Sequence, residues 1–489
     1  MAKRRRAKRK GKQYAPTVTA EELHNNLPLR SSLGLDQWPD RDWRSFLDAM
    51  SQRPATTLRY RPSAIENEPF WNLSKPVPWF PRARTLNPAV TCSTNAMRPG
   101  QSLAFAAGDF YIQDAGSLLA LRLALESEAF QSRTTFICDL CAAPGGKATG
   151  ILETLQPGSF LLANETITSR VGVLLQNLQR IGSDRFGVSS LDPEELAQQL
   201  PGTFDVVLVD APCSGQTLLG KGKSRNPYDA KLVALNVQRQ RRILRAAERL
   251  LKPGGILVYS TCTFSPDENE AQVDWAVQEL QMEPDPSESL AAYESDVTHR
   301  RSVPTACYRV WPHEHDCAGA FATRLRKRGF LESSEAIHLL DQANRFEIPC
   351  QQMLESCYQF HDGDRYVIRD WVVDSYPQDA PEWLERVADR GPEVAHKTGK
   401  TWKPSYAGAI RRPGEFGAMT HPTSTLVLSE TTASDYVSGL DVMCDQAGWH
   451  AVTHGERPLG WAKASVSRGD KGFVGKNHLP SSARRTIRP

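Results

Sequence analysis

The chain has 489 residues, 40% of them apolar, so it can bury a sizeable core and is expected to divide into about two to four domains. Ten cysteines are scattered along the chain and no signal peptide is recognised, a pattern that predicts reduced thiols in the cytoplasm rather than a disulfide framework. No stretch approaches about 18 uncharged apolar residues, and the pairs Cys307/Cys317 and Cys350/Cys357 have spacings unlike those of a zinc site. Membrane insertion and a bound metal are therefore not expected.

The positive charge is concentrated at the two ends of the chain. The formal net charge is +3, yet residues 3–12 alone contribute +8 with no acid, which leaves −5 for the other residues. We expect a disordered basic arm over residues 1–14 that attracts phosphates; a solvated tail or an address signal is the alternative. Residues 463–489 hold seven Lys or Arg against Asp470 alone, so both ends suit a polyanion such as RNA.

Between these ends, the sequence pattern changes near residue 106, from irregular segments to a regular alternation of strands and helices. Residues 15–105 mix short helical patterns with proline-rich connections and predict a small N-terminal domain. Over 106–331, apolar strands alternate with helical segments, which predicts a mostly parallel sheet covered on both faces. The predicted strands are TTFICDL (134–140), SFLLANE (159–165), RFGVSSLD (185–192), FDVVLVDAP (204–212) and ILVYSTCT (256–263).

Acidic residues follow the first four of these strands, where a parallel sheet places its ligand crevice. Glycines 145 and 146 let the backbone approach a ligand at a helix N-terminus, and Glu165 has the spacing of an acid that holds two ribose hydroxyls. Asp192 can accept from an adenine amino group, and Asp139 and Asp210 lie at the same edge. Because the loop is not GxGxxG, a nucleoside cofactor other than NAD is predicted; solvated carboxylates, helix caps and a tight turn are the alternatives.

Two cysteines end neighbouring strands and can face one small substrate. Cys213 follows the fourth strand and Cys262 the fifth, and parallel neighbours lie about 4.8 Å apart. The segment 265–268, Ser-Pro-Asp-Glu, predicts a capping box that starts a helix three residues after Cys262. A lone cysteine of this kind is more often simply buried, but a pair suggests chemistry.

A thiolate beside a carboxylate suits chemistry on a pyrimidine. Addition of a thiolate to carbon 6 makes carbon 5 able to attack an electrophilic methyl group. Asp210 is the natural partner of the ring nitrogen, and the second thiol can serve the release of the product. The residues alone leave open which thiol attacks.

The motifs CAAPGGK, DAPCSG and YSTCT together resemble those of the Nol/Nop/Sun family of S-adenosylmethionine-dependent RNA cytosine-5 methyltransferases, as do FYIQDAGSLLA (110–120) and WPHEHDCAGAFATRLRK (311–327). The resemblance implies a Rossmann-like class I methyltransferase with a mostly parallel, seven-stranded sheet. It makes Cys262 the nucleophile and Cys213 the residue that assists release, and it implies a small α+β domain of an RNA-binding type over residues 15–105. The place of Lys147 in the loop, facing Asp210, predicts that it orients this carboxylate; a simple cap or ion pair is the alternative. The cofactor residues that it implies are Cys141, Ala142, Ala143, Pro144, Gly145, Gly146, Lys147, Glu165, Asp192 and Asp210.

The last residues, LGWAKASVSRGDKGFVGKNHLPSSARR, are similar to the end of bacterial ribosomal RNA members of that family. This likeness implies a PUA-like α+β RNA-binding region within 332–489. We therefore expect a cytoplasmic enzyme that methylates carbon 5 of cytidine in ribosomal RNA with S-adenosylmethionine. The alternatives are a tRNA-directed enzyme with the same chemistry and a non-catalytic RNA-binding factor in ribosome assembly. The sequence makes no prediction about oligomeric state.

Overall fold

The computed structural model describes residues 19–24, 28–63, 70–87, 98–131, 134–221, 228–295, 297, 306–329, 350–359, 364–412, 421–466, 472–485 and 487. The predicted basic arm at 1–14 lies outside these residues. Within them, no helix has the length and apolar character to cross a membrane. The domain boundaries drawn from the sequence remain predictions, apart from one that is corrected below.

The first part of the chain forms an antiparallel sheet with strand order β2-β3-β1-β4. Its strands are β1 Thr57–Tyr60, β2 Ser74–Val77, β3 Phe80–Leu86 and β4 Phe110–Gln113. The helices before it are Ala20–His24, Pro28–Ser32 and Asp40–Ser51, and Leu103–Ala107 precedes β4. The predicted domain end at residue 105 is wrong, because β4 pairs with β1 and so belongs to this sheet. Strand β4 lies within the regular pattern that begins near residue 106, and no local signal shows that it pairs with a strand of the preceding sheet.

The central sheet has the strand order β10-β12-β9-β8-β5-β6-β7, and β11 pairs with β12. Its strands are β5 Phe136–Asp139, β6 Phe160–Asn164, β7 Phe186–Ser189, β8 Phe204–Asp210, β9 Leu251–Thr261, β10 Glu283–Pro284, β11 Cys307–Val310 and β12 Ala320–Arg326. Strands β5 to β9 pair in parallel, and β12 runs antiparallel to β9. The predicted mostly parallel α/β sheet is confirmed, with eight strands rather than seven because the two-residue β10 adds an edge.

Helices cover both faces of this sheet. They are Leu118–Leu125, Glu128–Gln131, Gly146–Leu152, Thr168–Gln179, Pro193–Gln199, Ala230–Leu250, Glu270–Glu279 and Pro312–His315. In β8, Val206 and Leu208 belong to one buried cluster, whereas Val207 and Val209 belong to the cluster on the opposite face. Alternate residues of a strand point to opposite faces, so an uninterrupted apolar run is what a doubly covered strand requires.

The rest of the chain forms two further sheets and a short strand pair. An antiparallel sheet contains β14 Arg365–Arg369, β15 Val372–Tyr376, β16 Glu393–Thr398 and β17 Thr401–Pro404, and β13 Tyr358–Gln359 pairs with β18 His421–Pro422. A five-stranded sheet contains β19 Thr425–Val427, β20 Val442–Cys444, β21 Gly448–His454, β22 Arg457–Val466 and β23 Phe473–Asn477. The helices are Gln351–Cys357, Trp383–Val387, Tyr406–Ala409 and Glu430–Ser438.

A buried arginine joins the N-terminal sheet to the central domain. Arg59 on β1 makes two hydrogen bonds to the Glu153 carboxylate, at 3.0 and 2.8 Å, and a third to Thr149 Oγ1 at 2.9 Å. It also donates to the carbonyl of Gly146 at 2.5 Å. Both charged side chains are almost completely excluded from solvent. Arg59 therefore holds the start of helix Gly146–Leu152, the helix that follows the glycine loop.

Replacing Arg59 with Met should lower the free energy of unfolding by about 3–5 kcal/mol, because the change leaves the Glu153 charge buried without its main partner. Chemical denaturation of the purified chain measures the loss. The matched control is Arg41→Met, which removes a 91% exposed guanidinium and should change stability by no more than about 0.5 kcal/mol. Equal stability of the two variants would contradict the role given to Arg59.

Candidate active site

A cleft of about 470 Å³ opens at the carboxyl ends of β5, β6, β7 and β8. The structure brings most of the predicted residues to this cleft. Its lining includes Cys141, Ala143, Glu165, Asp192, Asp210, Cys213 and Cys262. Ala142, Pro144, Gly145, Gly146 and Lys147 do not line it; the first four form the loop behind the cleft, and Lys147 faces a second cavity.

The glycine loop owes its shape to local geometry and to neighbouring side chains. Gly145 has φ +108°, and a Cβ there would lie 3.3 Å from Leu174 Cδ1, so a larger residue would be strained and crowded. The Pro144 carbonyl accepts from Asn177 Nδ2 at 2.7 Å, and the Ala143 carbonyl accepts from Arg170 Nη2 at 2.5 Å. These contacts hold the loop, and Arg170 itself lines the cleft.

Two of the predicted cofactor acids already have protein partners. Glu165 accepts from the Ile167 backbone N–H at 2.9 Å and pairs with Arg170 at 3.0 Å. Asp192 caps helix Pro193–Gln199 by accepting from the Glu194 backbone N–H at 3.0 Å. The helix-cap interpretation of Asp192 is thus confirmed, and its contact with an adenine remains a prediction.

Asp139 is the acid whose bonding is least complete. It is buried at the end of β5, and neither carboxylate oxygen makes a hydrogen bond of good geometry within the described chain. Burial raises the pKa of this carboxyl to about 7, and the Lys147 ammonium acts in the opposite direction. Asp139 lines neither cavity; the acids that do line the cleft, Glu165, Asp192 and Asp210, offer acceptors that fit the hydroxyl and amino groups of a nucleoside ligand.

A second, smaller cavity of about 80 Å³ adjoins the cleft, and both are lined by Asp210 and Cys262. Lys147 Nζ lies 2.6 Å from Asp210 Oδ2, and Ser260 Oγ donates to Asp210 Oδ1 at 2.8 Å. The predicted pairing of Lys147 with Asp210 is present. Lys221 also lines this cavity, so two ammonium groups face the carboxylate and the thiol.

The two predicted thiols are in contact, with Cys213 Sγ 3.3 Å from Cys262 Sγ. A hydrogen bond from Cys213 lowers the pKa of Cys262; Lys147 and Lys221 act in the same direction, whereas burial and Asp210 oppose them. The pKa of Cys213 is raised well above its usual value by that same hydrogen bond and by burial. The directions of these two pKa shifts favour a thiolate on Cys262 and a proton on Cys213, a choice that the residue pattern alone left open.

The predicted capping box after Cys262 is wrong. The helix begins at Glu270, and Ser265 Oγ has no hydrogen-bond partner in the part of the chain that the structure covers. Glu268, the expected partner in the box, instead binds the backbone and hydroxyl of Ser214 on the neighbouring strand's loop. Asn269 Nδ2 fixes the intervening turn by donating to the Thr263 carbonyl at 3.0 Å. Glu268 thus bonds to a residue distant in the sequence instead of forming the local capping box.

Several residues at the site were not assigned from the sequence. Asp114 accepts from the Ala318 backbone N–H at 3.0 Å and lies 3.5 Å from Lys221 Nζ. Lys221 comes from the segment that follows Cys213, and Ser260 is the last residue but one of β9, two positions before Cys262. Asp114 stands within the FYIQDAG stretch, the one local signal that was available. Nothing in the local pattern marks Lys221.

Comparison with known proteins identifies the class. Residues 126–326 match the family described as 16S rRNA methyltransferase RsmB/F, and residues 423–485 match the methyltransferase RsmF PUA domain. The chain therefore contains a domain of the RsmB/F family of S-adenosylmethionine-dependent methyltransferases, followed by a PUA domain. The five-stranded sheet lies within the PUA match.

Similar curated proteins carry the name ribosomal RNA small subunit methyltransferase F. The Cronobacter sakazakii protein is 34% identical over 274 residues, which span 54% of this chain and about half (53%) of that relative. The Enterobacter sp. (strain 638) protein is 29% identical over 86% of this chain and 89% of its own, and the Shewanella sp. (strain W3-18-1) protein is 27% identical over 89% and 91%.

Solved structures share the fold. A methyltransferase homolog protein from Pyrococcus horikoshii has a TM-score of 0.51 at 22% identity and covers 63% of this chain and 100% of its own. NSun6 from Pyrococcus horikoshii with SFG has a TM-score of 0.51 at 18% identity and covers 62% and 97%.

We expect Cys262 to react with iodoacetamide with a pH midpoint below the ordinary value of about 8.5, because its pKa is lowered. The reactive thiolate is present above that midpoint and is lost as the pH falls through it. In Cys213→Ala the midpoint should rise, since the sulfur that donates the hydrogen bond is gone. Mass spectrometry of the alkylated peptides across a pH series measures both midpoints.

The Cys213→Ser variant is the control, because its hydroxyl can still donate, so its midpoint should lie between the other two. Preferential alkylation of Cys213 at the lower pH would reverse the assignment.

Proposed function

We propose that this protein methylates carbon 5 of a cytidine in 16S ribosomal RNA through a covalent bond between carbon 6 and Cys262. The observation that carries the proposal is the Cys262 sulfur, which lies where the two cavities meet and is 3.3 Å from a second sulfur. The names of the similar curated proteins support a small-subunit ribosomal RNA substrate.

In this proposal the larger cleft holds S-adenosylmethionine, which supplies an electrophilic methyl group when bound. Cys141 and Ala143 of the loop 141–147 line this cleft beside its polar chain, whereas Asp139 is buried at the end of β5 and lines neither cavity. Glu165 accepts from the ribose hydroxyls, and Asp192 lies at the adenine end. The glycines bring the loop backbone close to the ligand, as at other nucleoside sites.

The cytosine occupies the smaller cavity. Cys262 would form a bond to carbon 6 while Asp210, held by Lys147 and Ser260, partners the ring nitrogen, which takes up a proton from water. Carbon 5 would then bond to the methyl carbon, and the donor sulfur would keep the electron pair of the broken sulfur–carbon bond. On release, water takes the carbon 5 proton, the electrons of that C–H bond form the ring double bond, and the bond between carbon 6 and Cys262 breaks with its electron pair returning to the sulfur; the ring nitrogen returns its proton to water. In this proposal Cys213, 3.3 Å from the Cys262 sulfur, assists that step.

Cys213→Ala should trap a covalent complex between the protein and its RNA, because the adduct still forms but its release is impaired. Cys262→Ala should give no adduct and no methyl transfer, since the bond to carbon 6 cannot form. Denaturing gels of the protein mixed with small-subunit RNA and radiolabelled S-adenosylmethionine report both results.

The Cys213→Ala/Cys262→Ala double variant is the control and should show no adduct. The opposite pattern in the single variants would reverse the two roles. No adduct and no methyl transfer with ribosomal RNA or tRNA would favour the non-catalytic alternative, and bisulfite mapping of RNA from cells lacking the protein identifies the target.

A basic face on the PUA-matched sheet supports an RNA partner. Trp449, Lys463 and Lys476 are direct neighbours across β21, β22 and β23, so their side chains share one face. Lys463 lies over the Trp449 ring at 5.2 Å. Burial is the main cause of the lowered pKa of His478, and the charges of Lys403, Lys463 and Lys476 lower it further. Among the described residues none of these lysines forms an ion pair with a carboxylate, and like charges directly opposite on a sheet are unfavourable unless an anion binds.

Lys463→Ala and Lys476→Ala should each weaken RNA binding and reduce the slope of log affinity against log salt by about one, because each removes one phosphate contact. Filter binding at several salt concentrations measures the slope. Lys231→Ala, an exposed lysine on helix Ala230–Leu250, is the matched control and should leave the slope unchanged. Unchanged slopes in all three variants would remove this face from the RNA interface.

A further inference from the structure

The loop that carries Cys213 is held by a buried carboxylate. Glu268 is 0% exposed, and its Oε2 accepts from the Ser214 backbone N–H at 2.9 Å. Gln240 Nε2 donates to the same oxygen at 3.0 Å and also to the Pro212 carbonyl at 3.0 Å. The Ser214 hydroxyl forms a short hydrogen bond to Glu268 Oε1. The residues on both sides of Cys213 are therefore tied, directly or through Gln240, to one carboxylate.

The same network reaches the loop that carries Cys262. Ser214 Oγ lies 2.9 Å from Thr263 Oγ1 and accepts from Gln216 Nε2 at 3.0 Å. Gln216 Oε1 in turn accepts from the Phe264 backbone N–H at 3.1 Å. Each cysteine is thus followed by a residue that takes part in one connected set of hydrogen bonds. This set fixes the separation of the two sulfurs.

Charged groups act on both sulfurs of the pair. The Cys213 hydrogen bond is the main cause of the lowered pKa of Cys262, and Lys147 and Lys221 add to it against burial and Asp210. The Glu268 carboxylate contributes to the raised pKa of Cys213 after the Cys262 hydrogen bond and burial, so the lysines and Glu268 act in the same sense, toward a charge on Cys262 and a proton on Cys213. A thiol pair in a uniform environment would have no such preference.

We propose that Glu268 is a positioning residue that holds Cys213 against Cys262 and so serves the release of the methylated RNA. This inference deepens the proposed function and rests on it. Glu268 does not line either cavity, so it acts through the loop at 212–214 rather than on the substrate. A purely structural carboxylate would affect every step alike, whereas this role concerns the one step that uses Cys213.

The test compares Glu268→Gln and Glu268→Ala with the intact chain, using small-subunit RNA and S-adenosylmethionine. Steady-state turnover should fall by about tenfold or more, because a sulfur displaced by about 1 Å loses its alignment. Formation of the covalent adduct in a single turnover and the KM for RNA should change by less than about twofold. The adduct should accumulate on denaturing gels, as expected for Cys213→Ala. Glu268→Gln keeps the shape and one acceptor oxygen, so its defect should be the smaller of the two.

The matched control is Asp267→Asn, which neutralises the exposed carboxylate one residue earlier and should turn over like the unmodified chain. If both Glu268 variants slow adduct formation and turnover equally, or neither accumulates adduct, the inference is overturned. If they do not fold, Ser214→Ala tests the same contact from the other loop, and a lack of adduct accumulation there also overturns it. Failure of Cys213→Ala itself to trap RNA would instead overturn the proposed function.

Discussion

The contact between two sulfur atoms organises this site, and the central sheet makes the contact possible. Strands β8 and β9 are parallel, and their register places Asp210 opposite Ser260. Both strands end side by side. Cys213, three residues after Asp210, and Cys262, two residues after Ser260, therefore meet at the same point. The sulfurs lie 3.3 Å apart, and the hydrogen bond between them is the main cause that lowers the pKa of Cys262 and raises that of Cys213. Most of the other polar residues of the site either set these charges or fix the two loops.

Buried ionic contacts between distant parts of the chain hold the elements around the site in place. Arg59 of the N-terminal sheet holds the helix after the glycine loop, and Arg309 on β11 binds the carboxylate of Glu270 at the start of the helix after Cys262. Asp109, before β4, accepts from Arg457 of the PUA-matched sheet at 2.6 Å. A charge of this kind is costly to bury without its partner, so these pairs specify one arrangement of the parts around the site.

The sequence allowed the central sheet and the meeting of the thiols to be predicted, because both follow from local signals. Apolar runs of the right length predicted the strands, and the rule that parallel strands share one edge placed Asp210, Cys213 and Cys262 together. The failures have a common cause. Glu268 sits in a good local capping motif but binds Ser214, which is 54 positions away, and β4 pairs with a strand of an earlier sheet. Local sequence patterns do not identify residues that meet only through tertiary contacts. Lys221 reaches the site through such contacts, so it was not predicted.

The identity of the sulfur that bonds to RNA is the central claim, and peptide mapping tests it most directly. The RNA adduct of Cys213→Ala is digested with nuclease and protease, and tandem mass spectrometry locates the modified residue. The account predicts a methylated cytidine mass on the peptide that contains Cys262, at that cysteine. A nucleotide attached to any other residue, or an adduct in the Cys262→Ala chain mapped to Cys213, would contradict it.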